Sequence, residues 1–320
     1  MAPDMMQQNA SRHRRALNFC LSSLLLCATF SRSQELDDLT AIGKSIAMRA
    51  TIKPEMVPLI KEKADNGDAK AQYVLGWMYF FGDPVEKNNQ QAVQWMTKAA
   101  DQDFKFSQTQ LGLMYLTMKD IPENYGLARG WLLKGASRSE ADALNALGVI
   151  YSQGLGVNAD GEQAISYFRK AAESGFASAQ YNLGYQYYTG KFLHQDYKEA
   201  AKYFKEAAQQ DDARAEYNLG VMYRDGQGVP QDNAEAIRLF QEAAEKHHLP
   251  AAEHNLGASY HTGKRVSKNL VLAYMWLTMA ADGGFEPSRK LLPTVIREMT
   301  PEQIAEAKQK ILDWTKAHGS

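Results

Sequence analysis

The residues best suited to chemistry in this 320-residue chain are four histidines near its C-terminal end. His247, His254 and His261 recur every seven residues, with His248 beside the first. Imidazole binds metals and moves protons near neutral pH. Seven residues are two helical turns, about 10.5 Å along a helix. A zinc ion holds its ligands at about 2 Å, so this spacing serves one metal only if the chain folds back. Glu253 is the one carboxylate at ligand spacing on the same turn. No metal site is expected, and the histidines read as surface residues. Two glycine-rich turns, Gly154-Leu155-Gly156 and Gly226-Gln227-Gly228, could cradle phosphate. No strand pattern precedes them and no Lys-Ser/Thr follows, so they read as helix-connecting turns. There is no nucleophile elbow, no zinc-protease helix and no isolated acid pair. The expectation is a protein without catalytic residues or cofactor.

Charge narrows the partners. The chain carries 36 basic and 37 acidic residues, with no basic excess to drive binding to nucleic acid or to an anionic membrane. The first 33 residues differ from the rest. Arg12, His13, Arg14 and Arg15 form a basic head before an apolar run over residues 16–30. That run is too short to span a hydrocarbon core of about 30 Å as a helix. Ser31 and Ser33 have the small-residue spacing of a signal-peptidase site, which predicts a cleaved signal peptide over 1–33. A lipoprotein reading through Cys27 is disfavoured by Leu26 before it. The mature chain is then expected to be exported, periplasmic or secreted, with no stable membrane insertion. Both cysteines, Cys20 and Cys27, would leave with the signal, and disulfides and thiolate metal sites with them. The signal also holds Arg12, Arg14, Arg15 and Arg32 against Asp4, so its removal takes the formal charge from −1 to −4. The single Asn-x-Ser/Thr site, Asn9, lies there too, which points mildly to a bacterial source.

The elements that position everything else are repeats. A Leu-Gly pair recurs at Gly76, Gly112, Gly148, Gly184, Gly220 and Gly257, spaced by 36 residues four times and then by 37. Tyrosine follows three residues after each glycine, from Tyr79 to Tyr260. Alanines follow sixteen and twenty-four residues after it, from Ala92 and Ala100 to Ala273 and Ala281.

Within a unit, Ala215, Leu219, Met222 and Tyr223 mark one helical face, and Ala236, Ile237, Phe240 and Ala244 mark a second helix. Between them the composition is that of a turn. Asp232 with Glu235 forms a capping-box start, repeated by Asp196 with Glu199, Asp160 with Gln163 and, more loosely, Asn88 with Gln91. Trp95, Trp131, Tyr167, Tyr203 and Trp276 share one second-helix position. A lone hairpin cannot bury both its faces, but stacked hairpins can, which predicts an all-α stack of antiparallel helix-turn-helix repeats. The expected organisation is a cap over 34–67, repeats at 68–103, 104–139, 140–175, 176–211, 212–247 and 248–284, and closing helices over 285–320. Residues 54–66 read as a degenerate second helix, Leu39 precedes Leu75 by one repeat length, Pro293 stands where a repeat glycine would fall, and Pro301 suits a helix start.

The run from Ala213 to Tyr223, the turn Gly226-Gln227-Gly228-Val229-Pro230 and the segment 236–244 resemble the Sel-one-like repeat family of the tetratricopeptide superfamily. The resemblance covers about residues 68–284 and implies a right-handed α-solenoid whose first helices line a concave binding face. Repeat 2 lacks loop glycines and repeat 4 keeps only Gly190, so those two turns are expected to differ in shape. The family's cysteine-rich branch is not implied, because the repeats here contain no cysteine. Positions −3, +1 and +4 from the repeat glycine form the candidate stripe: Tyr73, Trp77 and Phe80; Tyr181, Tyr185 and Tyr188; Tyr217 and Arg224; His254 and His261. Tyrosine, tryptophan and arginine are typical anchors of binding hot spots. The competing reading of the −3 set is packing between repeats. The resemblance implies an adaptor that binds a protein or peptide, in envelope processes, signalling or host interaction. A cell-wall or glycan-fragment binder is the alternative.

Overall fold

The computed structural model describes residues 52–118, 124–264 and 266–318. The expected signal peptide and Leu39 lie outside those residues. The described chain is all-helical, with fifteen α-helices, one short 3-10 turn at Pro54–Met56 and no strand. It divides into two compact units, one ending at Ala171 and the other beginning at Ala172.

The first unit opens with α1 (Val57–Asp65), which buries Ile60 and Ala64. Three hairpins follow: α2 (Ala69–Phe81) with α3 (Asn89–Asp101), α4 (Lys105–Thr117) with α5 (Tyr125–Ser137), and α6 (Ala141–Gln153) with α7 (Gly161–Glu173). In the second unit, α8 (Ala177–Thr189) pairs with α9 (Tyr197–Ala208), α10 (Ala213–Asp225) with α11 (Asn233–His247), and α12 (Pro250–Thr262) with α13 (Leu270–Asp282). Two closing helices follow, α14 (Glu286–Arg297) and α15 (Pro301–His318). Within each unit the two helices of a hairpin pack against each other and on those of the adjoining hairpin, so each unit is a stack of paired helices, a repeat solenoid.

One closure device joins the helices of a pair. The first helix ends on a left-handed glycine, such as Gly226 (φ 69°), whose N–H bonds back to the Met222 carbonyl. Nine residues after the repeat tyrosine, the N-cap residue donates its own N–H to that tyrosine's carbonyl. This bond recurs from Asn88 to Tyr79, Asp160 to Tyr151, Asp196 to Tyr187, Asp232 to Tyr223 and Asn269 to Tyr260, at 2.9–3.0 Å. The N-cap side chains do as the capping pattern predicts: Asn88 accepts from the Gln91 N–H, Asp160 from Gln163, and Asp196 and Asp232 from the second and third residues of their helices. Repeat 4 uses the same closure through Gly190 and Asp196, but its turn differs as expected from those of repeats 3 and 5, whose second left-handed glycine (Gly156, Gly228) is replaced here by Phe192 outside the left-handed region. Gly190 at the left-handed position suffices for the closure. Repeat 2 also differs where it is described, since Met118 ends α4 in an extended conformation without glycine.

The small residues set the distance within a pair. A Cβ on Gly220 would lie 2.8 Å from Phe240 Cε1, so only glycine admits that ring beside α10. The alanines sixteen residues later, Ala92 to Ala273, have no exposed surface. The repeat tyrosines stack on the second-helix aromatics, Tyr151 on Tyr167 at 5.7 Å and Tyr187 on Tyr203 at 5.9 Å. Gly228 serves the next level of packing: at φ 70° its missing Cβ leaves room for the Tyr197 backbone of the preceding repeat.

The end of the second unit departs from a simple last hairpin. Pro293 sits inside α14 and Pro301 begins α15. α15 folds back onto α13, bringing Trp314 within 6.2 Å of Trp276 and 4.7 Å of the His248 ring. The aromatic row of the second helices is thus covered at this end by another tryptophan.

Candidate functional site

The first-helix stripe resolves into two kinds of position. Three residues before the repeat glycine, each side chain packs onto the following repeat. Tyr73 is 1% exposed, 5.4 Å from Phe104 and 6.4 Å from Phe106, and burial pushes its hydroxyl up to about 12. Tyr181 lies under the Arg214 guanidinium at 4.2 Å. The Tyr217 hydroxyl accepts from Asn255 Nδ2 at 3.3 Å. His254 packs on Phe285 at 5.2 Å, its Nδ1 lying 2.9 Å from Ser288 Oγ. Phe104, Arg214, Asn255 and Phe285 all belong to the next repeat or to the closing helices. Packing between repeats is therefore what the −3 residues do.

This removes two residues from the expected surface. Tyr73 is enclosed, and Trp77 is 7% exposed, stacked on Phe81 at 5.1 Å and met edge-on by Phe80 at 5.2 Å. A partner cannot reach either without opening the first unit's core. Of the repeat 1 set only Phe80 keeps part of its surface.

In the second unit the stripe stays accessible. Tyr185 is 42% exposed and stacks on Tyr181 at 6.1 Å. Tyr188, half-buried against Tyr197 and Phe204, donates to Gln227 Oε1 at 3.3 Å. Desolvation raises the pKa of both Tyr181 and Tyr188. Arg224 makes two bonds to Asp225, at 2.7 and 2.6 Å, and its Nη1 donates to Asn255 Oδ1 at 3.1 Å. Those partners hold the guanidinium in place, and the bonds to Asp225 raise its pKa. Tyr185, Tyr188 and Arg224 thus keep exposed or part-exposed surface in repeats 4 and 5, oriented by short contacts.

The two stripe histidines instead support the closing helices. His261 Nε2 lies 2.9 Å from Glu298 Oε1, and Lys268 Nζ donates to Glu298 Oε2 at 2.8 Å. Those two donors hold the Glu298 carboxyl down at about 2. Burial lowers the pKa of His254.

Sequence reasoning missed a second row, four residues before the repeat glycine. Gln72, Gln108, Gln180, Glu216 and Glu253 are all buried, at 1–6% exposure. The side-chain carbonyls of the three glutamines accept from Gln102, Arg138 and Gln210, each thirty residues on. The signal was present as a five-fold recurrence of Gln or Glu, but these residues are ordinary on surfaces and attract no notice there.

No helix among the described residues is long and apolar enough to cross a membrane. A family model described as the Sel1 repeat matches residues 69–104, 105–139, 141–176, 177–212, 213–248 and 250–285. A putative sel1-like repeat-containing protein of Acanthamoeba polyphaga mimivirus is 49% identical over 47 residues, 15% of this chain and 8% of that protein. The match therefore spans less than a tenth of that relative's length. A Sel1 repeat protein from Oxalobacter formigenes has a similar crystal structure, with 29% identity and a TM-score of 0.66 over 79% of this chain and 100% of that one. A protective antigen of uropathogenic Escherichia coli strains with an SLR fold matches at 22% identity and a TM-score of 0.44, over 88% of this chain and 77% of that one.

Proposed function

Because the chain belongs to the Sel1 repeat family, whose members generally act as protein-interaction scaffolds, we propose that it is a non-catalytic adaptor whose partner docks on repeats 4 and 5. The observation that carries this reading is the Tyr185 surface. A large aromatic ring is left 42% exposed on a stacked neighbour, with Tyr188 and the braced Arg224 in the same two repeats. Tyrosine and arginine held in place before binding lose little conformational freedom on contact, which is how hot spots gain affinity. The partner that fits is a protein segment offering an apolar side chain for the tyrosines and a carboxylate or carbonyl for Arg224.

The reading extends to location. Residues 1–33 act as a cleaved signal, and the mature adaptor works outside the cytoplasm, in the periplasm or beyond, in envelope or host-contact processes. The basic head and apolar run over 12–30 support this. The stacked Tyr181–Tyr185 rings also suit sugar stacking, which keeps a cell-wall fragment as the second reading.

The test is photocrosslinking in the native cell from position 185, with a second probe on the exposed second-helix residue Lys202. Capture of a discrete protein from 185 but not from 202, lost in Tyr188→Ala with Arg224→Ala at unchanged Tm, supports the adaptor reading. Equal capture from both positions overturns the surface assignment. Sedimentation with purified cell-wall sacculi, abolished by Tyr185→Ala, would replace the protein partner with a glycan.

A further inference from the structure

Three potential ligands for a cation meet where repeats 4 and 5 join. Asp211 comes from the loop between α9 and α10, Glu216 from α10 and His247 from the end of α11, with one ligand atom of each within 4.8 Å of the others. Glu216 Oε2 lies 3.7 Å from His247 Nε2. The glutamate side chain is 1% exposed and the histidine 12%, while Asp211 is exposed, giving a buried floor and an open mouth.

The repeat pattern shows why this junction is unlike the others. At the same first-helix position repeats 1, 2 and 4 carry glutamine, whose side-chain carbonyl accepts a hydrogen bond from the residue thirty positions on. Repeat 5 has Glu216 there, and its residue thirty on, Lys246, bonds instead to Asp211 at 2.8 Å. Glu216 Oε2 is left buried and accepts no hydrogen bond. A buried carboxylate oxygen without a donor is costly, and a cation would remove that cost.

The interval from the repeat 5 glycine to the next is also one residue longer than the four intervals before it. In repeats 1, 2 and 4, the residue thirty-one after this glutamine is the left-handed one that ends the second helix: Asp103, Ser139 and Asp211. In repeat 5 the helix continues through that position to His247, and the left-handed residue becomes His248 (φ 51°). The extra residue keeps His247 helical, with its ring beside Glu216. Spacing along one helix had argued against a histidine metal site. The cluster draws instead on three elements, which that spacing cannot reveal.

We propose that Asp211, Glu216 and His247 form a binding site for a divalent first-row transition-metal cation such as zinc. One imidazole and two carboxylates are a donor set zinc accepts. At bond lengths of about 2.0–2.2 Å, tetrahedral ligand atoms stand roughly 3.3–3.6 Å apart, close to the Glu216–His247 separation. The exposed Asp211 closes the third side by a rotamer change. Lys246 is the resident competitor: its ammonium pairs with Asp211 and is half exposed, so it can swing into solvent. Three protein ligands leave one position for water. The remaining charges nearby are already engaged, Asp212 with Arg214 and Glu242 with Arg238.

The test is zinc titration of the purified full chain by calorimetry and thermal unfolding at pH 7.5, for the wild type and three variants. Expected are one equivalent bound with a rise in Tm, and at least tenfold weaker binding in Glu216→Gln and in His247→Ala. Glu216→Gln restores the residue that three other repeats use, so it folds and isolates the ligand. Lys246→Met removes the competitor and binds severalfold more tightly. No binding by the wild type or by Lys246→Met overturns the proposal. So does binding that survives Glu216→Gln unchanged, since the cation would then sit elsewhere.

Discussion

One atom distinguishes glutamine from glutamate at the row four residues before the repeat glycine, and it decides what the surroundings must supply. Gln108 satisfies its amide with the Ala100 carbonyl and Asp103, and its carbonyl with Arg138. Glu216 offers only acceptors there when ionised, and burial pushes its carboxyl up to about 7. In metal-free buffer Glu216→Gln should therefore raise stability by about 1–2 kcal/mol near neutral pH, read as a higher urea midpoint at unchanged slope. His254 gives a pH prediction. Burial holds its folded-state pKa below the ordinary 6.5, so on acidification the unfolded chain takes the proton first. The contribution is whole above pH 6.5 and is lost as pH falls below it. Urea unfolding at pH 7.5 and 5.5 should show a smaller drop in His254→Asn than in the wild type, and an equal drop would refute the assignment. The stripe residues were readable as types but not as roles. A tyrosine three positions before the glycine has the same spacing whether a partner or the next repeat covers it, and only the approach of Phe104 to Tyr73 or of Arg214 to Tyr181 separates the two.

Elements were far more legible, because their determinants are local. A cap such as Asp232 bonds to backbone two and three residues away, so side-chain type and spacing carry the whole interaction. Asp232→Ala should lower stability by about 1 kcal/mol through the start of α11. Gly220 tests the spacing between helices in a pair: its alanine variant pushes a methyl into Phe240 and Leu239 and should cost about 1–3 kcal/mol. Calorimetric Tm values for both variants check the two predictions, and a Gly220→Ala protein as stable as wild type would deny the close approach its role. The repeat 4 turn differs where its missing glycine said it would, at Phe192, yet the closure survives because it needs one left-handed residue and one N-cap at the right distance from the tyrosine. Composition alone does not show which glycine carries the turn.

At the scale of the whole molecule, each described unit is held by neighbours in sequence, and its ends are the exposed risk. The closing helices α14 and α15 cover Leu277, Trp276 and His254 in the second unit. Truncation after Gly284 should uncover these groups and give a chain that self-associates, seen as early elution in size-exclusion chromatography, while the N-terminal hairpins keep their helicity. A monomeric truncated chain with unchanged Tm would show that the cap is dispensable. The architecture was legible from the period alone, because a 36-residue recurrence of Leu-Gly, Tyr and Ala has one way to bury its faces. The α15 docking was not, because Trp314 has no counterpart one repeat length away to suggest its partner. The Asp211–Glu216–His247 cluster has a further consequence of this kind. It belongs to a seam, one residue from the tail of repeat 4 and two from repeat 5. In-frame duplication of residues 212–248 would therefore copy Glu216 and His247 and set His248 in the aspartate's place. Tandem amplification would carry the buried pair into each new seam but replace its aspartate by an imidazole, itself a zinc ligand, so the donor set would change with each added hairpin.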